Sequence, residues 1–403
     1  VAAGALAVAV VAVSCAPGEV GDGSRAAGDV PAAPDVSAFV GQPMDPDVTA
    51  ALEAIVTDRD LRRFDPQMID EVVAGGDPRA AWFLADLLRF AVSGSDLADA
   101  LLDGFAGLTG VPVDHDQRSA WTAMTDLLLA WDLPAWEDYQ RLKGQLFLRI
   151  EPAWEPFFSD VDAAVDWRWV SWGGVRIDAR EFGDAQPCPL GCIPSLDDPV
   201  LTDAADGDWY PDDAIVFGIT LDDESIALPR HQMEVHEMVN LTLAGRHLGI
   251  PYCTLCGAAQ AYLTGELPGV DRVVLRTSGM LSRSNKMMYD LTTESLIDTF
   301  TGEATSGPLH ATGVRLEQIT VVASSWGAWK QQHPDTQILA EDGGIGRTYP
   351  DDPLGGRDDD GPIFPVGPVD PRLPVQESVV GVVLDDGSAV AFPVEAAARE
   401  LAA

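Results

Sequence analysis

The sequence predicts an α+β protein: an α-helical, repeat-like domain followed by a β-rich domain carrying a duplicated β-hairpin unit. Three observations carry that expectation. Between about residues 47 and 158, apolar side chains recur at the three-to-four spacing of a helix stripe. Beyond Pro156 the pattern changes to short β-branched and aromatic runs broken by glycine and proline. One run also occurs twice, since residues 216–229 are echoed by 379–393 with one residue inserted. At 403 residues the chain exceeds what a single compact core usually holds. The expected segments are therefore 1–15, 16–46, 47–160 and 161–403.

Residues 1–15 form an apolar run too short to span a bilayer and read as the core of a signal peptide. Its end, Ala12-Val13-Ser14-Cys15, resembles a bacterial lipobox, which implies cleavage before Cys15 and acylation of that thiol. The expectation is an exported cell-envelope protein, lipid-anchored to the outer face of the cytoplasmic membrane, with the lipid as its only membrane contact. An ordinary signal peptide is the alternative. Residues 16–46 are rich in Gly, Ala, Pro, Ser and Asp and bury too little to offset ordering entropy, so they read as a disordered linker.

In the helical segment the stripes run through Ala51-Leu52, Ile55-Val56, Met68-Ile69 and Val72-Val73. Asp77-Pro78 supplies an N-cap and a first-turn proline for the next helix, and a further one closes at Gly110. Short helices punctuated this way suggest an α-solenoid of the HEAT kind, whose surface could receive a protein partner. In the β-rich segment, alternation over 165–172 and the Gly173-Gly174 pair suggest a hairpin with 175–177. Residues 216–229 read as strand, Asp222-Asp223 turn, strand, and a helix opened by Pro229, whereas the second copy ends at Pro393 without a His-Glu sequel. Strands are expected at 272–278, 286–290, 308–316 and 318–323, a short helix at 326–330, and a long irregular loop over 341–374.

Several motifs occur in a shared order: Cys192-Ile193-Pro194-Ser195-Leu196-Asp197-Asp198-Pro199, His236-Glu237-Met238-Val239-Asn240, Pro251-Tyr252-Cys253-Thr254-Leu255-Cys256-Gly257, Met288-Tyr289-Asp290 and His333-Pro334-Asp335-Thr336. Together they resemble the bacterial domain of unknown function 3179 family over about residues 185–395. The resemblance implies an exported or membrane-anchored protein and brings no established activity. Ile297 stands where that family usually has Trp, and Cys188 lies outside its pattern.

With 64 acidic against 25 basic residues, the formal charge is -39, which argues against a nucleic-acid partner. No Gly-rich phosphate loop and no Gly-x-Ser-x-Gly elbow is present. The candidate chemistry lies in thiols. Cys253 and Cys256 form a CxxC pair, and if the helix opened by Pro229 runs through Asn240, then Gln232, His236 and Asn240 share one face. Asn240 stands where a zinc protease would have its second His. Cys192, His236, Cys253 and Cys256 then make a Cys3His metal set suited to zinc or Cu(I), with Glu237 and Asn240 behind the imidazole. Two other readings stand beside it. One is a thiol–disulfide oxidoreductase using the CxxC pair. The other is a non-catalytic cell-envelope interaction module with a Cys253–Cys256 or Cys188–Cys192 disulfide and a capping histidine. The residues leave open whether the protein is an enzyme.

Overall fold

The computed structural model describes residues 8–11, 30–58, 60, 65–115, 120–188, 191–267, 269–356, 361–383, 388–394 and 396. The lipobox-like residues Ala12 to Cys15 and linker residues 16–29 lie outside them. The first half is helical: α1 (Pro46–Thr57), α2 (Gln67–Ala74), α3 (Ala81–Leu88), α4 (Asp96–Thr109), α5 (Ala120–Ala130), α6 (Tyr139–Leu148) and α7 (Glu155–Ser159). Their ends follow local chemistry. The Asp45, Asp77 and Ser95 side chains accept from backbone N–H groups of the following turn, and Gly110, at φ 74°, ends α4 in the left-handed conformation that favours glycine.

Helix α3 is buried on nearly every side. Its one polar residue, Asp86, is held by Lys143 Nζ at 2.8 Å and the Tyr139 hydroxyl at 2.7 Å. Around this hub pack α4, α5 and α6, and α1 also meets α6. The helices are short and capped as expected, but they close into a bundle, where a solenoid would stack each pair on its neighbours alone.

Strands dominate the second half. A six-stranded sheet carries the main path Glu317–Ile319, Ala261–Leu263, Arg246–Cys253, Met238–Leu243 and Leu196–Asp197, with Ala258–Ala259 paired to the end of its central strand. A five-stranded sheet runs Val322–Ser325, Ile215–Leu221, Glu224–Pro229, Gln337–Leu339 and Leu201–Asp203. A four-stranded sheet runs Leu296–Asp298, Asn285–Asp290, Leu275–Ser282 and Val170–Trp172. Both echoed hairpins form, but in different sheets: Val379–Val383 pairs with Ala389–Pro393 on one side and with Val8–Val11 on the other. Among the described residues of this half, the α-helices are α8 (Arg230–His236), α9 (Gly307–Ala311) and α10 (Trp326–Gln332).

Two expectations fail locally. The stretch 165–177 is no hairpin: Asp166 caps a 3-10 turn at Trp167–Trp169, and Val170–Trp172 pairs with the distant Met280 to Ser282. Of the strand expected over 308–316, residues 308–311 are helical, because Gly307 at φ 71° and Pro308 open α9, and only Arg315 makes a β-bridge, with Glu303. The helical and β layers share apolar contacts. The core around α3 runs on through Trp167 and Val170 to Met280, Met287, Tyr289 and Leu296 of the four-stranded sheet. Among the described residues, no helix is long and apolar enough to cross a membrane.

Candidate dithiol site

Strand Arg246–Cys253 ends at the first thiol, and the chain turns through Thr254, Leu255 and Cys256. Gly257, at φ 59°, lets the chain reverse so that Ala258 pairs with Cys253 and Ala259 with Tyr252. The CxxC is therefore the turn of a tight hairpin. Its two sulfurs are unbonded and lie 2.8 Å apart, with Cys253 buried and Cys256 partly exposed.

Two other turns wall this one. From the four-stranded sheet comes a reversal at Arg283 and Ser284, both left-handed at φ 47° and 66°. It places the Ser284 carbonyl oxygen 3.8 Å and Asn285 Oδ1 3.5 Å from the Cys256 sulfur. From the other side comes the end of α8, where Glu237 adopts φ 52° and caps the helix through its N–H to the Met233 carbonyl. The Glu237 carbonyl oxygen accepts from Tyr252 N–H at 2.9 Å and from Lys286 Nζ at 2.7 Å. Its carboxylate meets Lys286 Nζ at 3.0 Å and accepts from the Thr254 hydroxyl at 2.8 Å. Three of the non-glycine residues with positive φ thus gather around the thiols, and such strain concentrates where a fold holds a functional arrangement.

The thiols are not equivalent. Burial works against a thiolate on Cys253, but the hydrogen bond it shares with Cys256 and the one from the backbone N–H of Lys286 outweigh it, and its pKa falls below the usual thiol value. Cys256 goes the other way, since its hydrogen bond to Cys253 and its burial both hold its proton. The pair carries its first negative charge on the inner sulfur.

The expected four-ligand set is not assembled. Cys192 is bonded to Cys188 in a disulfide, which removes its thiolate. His236 lies at the end of α8 with both ring nitrogens engaged, Nδ1 on the Pro194 carbonyl oxygen and Nε2 on the Tyr349 hydroxyl, each at 2.7 Å. The remaining two sulfurs, at 2.8 Å, sit closer than the roughly 3.8 Å that two thiolates on one tetrahedral zinc require at Zn–S distances of about 2.3 Å. Among the described residues, the only gathering of three or more candidate ligand atoms is Asp178 with Cys188 and Cys192. There the sulfurs are bonded to each other and Asp178 is held by Arg180 at 2.7 Å.

The expected supporting roles change as well. Asn240 is not on the helix, because Glu237 ends it and a strand begins at Met238. The Asn240 amide instead bridges Asp197, at 2.9 Å, and the backbone of Leu275, and Asp197 is clamped by buried Arg276. Glu237 serves the CxxC turn and Lys286, not the imidazole. Lys286 and Thr254 escaped the sequence reading. Thr254 was visible inside the CxxC, but nothing local shows that residues 237 and 286 converge on it.

No curated protein and no solved structure matches the chain. The ordered motifs around this site do find a counterpart: the model of the family described as "Protein of unknown function (DUF3179)" matches residues 190–402, more than half of the chain, and the protein belongs to that family.

Proposed function

We propose that the protein is a thiol–disulfide exchange protein whose reacting pair is Cys253 and Cys256. The observation that carries this reading is the pair of free sulfurs 2.8 Å apart on a turn walled from two sides, the outer one partly exposed. A substrate thiolate reaches Cys256 and attacks its sulfur in the oxidised pair. The Cys253–Cys256 bond breaks, a mixed disulfide forms on Cys256, and Cys253 departs as the thiolate. A leaving thiol of lower pKa leaves faster, and the hydrogen bonds on Cys253 serve that step. In the reverse direction the Cys253 thiolate attacks Cys256 of the mixed disulfide and releases the substrate thiol. The Cys188–Cys192 disulfide stands apart as a staple of its loop.

We further propose that this exchange occurs at the cell envelope, on the strength of the apolar run ending at Cys15, where structural thiols persist as disulfides. Labelling with a radioactive fatty acid, lost in Cys15→Ser, tests the anchor.

The exchange is tested by equilibrating the full chain with graded mixtures of reduced and oxidised glutathione, trapping thiols with a maleimide, and mapping peptides by mass. Residues 253 and 256 are expected to gain and lose two thiols together in a single two-electron transition, abolished in Cys256→Ser. Thiols that stay free in excess oxidised glutathione, or stoichiometric zinc or copper by elemental analysis of untagged protein, would overturn the reading.

A further inference from the structure

We propose that Glu237 and Lys286 are an opposed charge pair that poises the Cys253/Cys256 dithiol, Lys286 favouring the reduced pair and Glu237 the disulfide. The inference rests on the thiol–disulfide reading above. Both side chains are withdrawn from water: Lys286 is 3 % exposed and Glu237 8 %. Burying an ion pair costs desolvation that its attraction rarely repays, so a buried pair needs a reason beyond stability.

Geometry supplies the reason. Each partner comes from a different wall of the dithiol, and each is tied to it independently. Glu237 reaches into the CxxC through the Thr254 hydroxyl, and its carbonyl oxygen holds the N–H of Tyr252, the residue before Cys253. Lys286 follows directly on Asn285, whose side chain lies 3.5 Å from the Cys256 sulfur. The ammonium donates to the Glu237 carbonyl oxygen at 2.7 Å and makes an ion pair with its carboxylate at 3.0 Å.

Opposite charges beside one sulfur pair act oppositely on it. The Glu237 carboxylate disfavours negative charge on either sulfur, and the Lys286 ammonium favours it on Cys253. Arg230 and Glu234 are charged groups that act on the Tyr252 phenol beside Cys253. They are bonded to each other at 2.7 Å, so their effects largely cancel. Of the charged side chains that act on the sulfurs themselves, Glu237 acts on both and Lys286 on Cys253, so the poise is assigned to the 237/286 pair.

The test is the equilibrium in which dithiol and glutathione disulfide yield protein disulfide and two glutathione thiols. Two electrons pass from the protein sulfurs to glutathione, and the two protons follow. It is measured at pH 7 on wild type, Glu237→Gln and Lys286→Met. Lys286→Met is expected to shift the equilibrium constant at least threefold toward the disulfide, and Glu237→Gln at least threefold toward the dithiol; a tenfold shift corresponds to about 30 mV. The double variant should return toward wild type. Loss of a merely structural contact predicts no such opposition of sign. If either variant fails to fold, as read by far-UV circular dichroism, the uncharged Glu237→Asn, whose short amide tolerates the left-handed backbone at 237, and Lys286→Gln take their places with the same signs expected. Shifts in one direction, or below twofold in both, overturn the inference. A wild-type pair that never forms the disulfide overturns the thiol–disulfide reading instead.

Discussion

His236 has its imidazole between an atom that can only accept and one that can do either. The Pro194 carbonyl requires the ring proton on Nδ1, so Nε2 of the neutral ring accepts from the Tyr349 hydroxyl. Burial pushes its pKa down to about 4, against the pull of the Pro194 bond, with Arg347 and Arg180 adding to the depression. The unfolded chain therefore takes up a proton near pH 6.5 that the folded chain refuses until about pH 4. Stability from this residue is present in full above pH 6.5 and drains away as pH falls through that window. The loss is on the order of 3 kcal/mol by pH 4. His236→Gln should cost stability at pH 7 yet lose less of it on acidification. Urea midpoints of both proteins at pH 7 and 4.5 check this, and parallel losses would contradict the assigned proton. The same geometry explains why this histidine is no free ligand, which a sequence shows only as His next to Glu.

Among elements, the hairpin of Ile215–Leu221 and Glu224–Pro229 shows how packing selects a residue. Gly218 pairs with Ala227 across the ladder, and a Cβ at 218 would run into the Trp329 ring of α10. Gly218→Ala is therefore expected to cost about 1–3 kcal/mol through displacement of that ring, while Thr220→Ala, on an exposed position of the same strand, should cost well under that. Thermal melts of the two variants measure the difference. This hairpin was legible in the chain because alternation, an Asp-Asp turn and a closing proline are local signals, and Asp222 indeed adopts φ 52° at the turn. The helix after it was legible at its start and not at its end. Glu237 is a competent helix residue, and only the Lys286 and Tyr252 donors on its carbonyl, from strands distant in sequence, mark the left-handed cap. The cysteines were equally visible, but choosing Cys188 as the partner of Cys192 needed the fold. The pattern of 165–172 misled because its true strand partner lies more than a hundred residues away.

At the scale of the molecule, the helical bundle bears on the dithiol through the four-stranded sheet. That sheet presents Tyr289 to Phe157, with ring centroids 5.5 Å apart, and its Ser278 carbonyl oxygen to Trp154 Nε1 at 2.7 Å, while its turn carries Asn285 and Lys286 to the thiols. Trp154 is fully buried and also packs on Phe147 of α6. It therefore belongs to both layers, and the layers should lose structure together. Trp154→Ala removes a large ring and orphans a buried carbonyl, a combination worth about 3–5 kcal/mol. If the core is continuous, hydrogen exchange followed by mass spectrometry should show peptides spanning 81–109 and 275–290 losing protection to similar extents in the variant. Loss confined to the helical peptides would mean that the bundle is an independent unit. Coupled loss would make the bundle a mechanical support of the Asn285 and Lys286 wall, and Trp154→Ala should then also broaden the glutathione transition at Cys253 and Cys256.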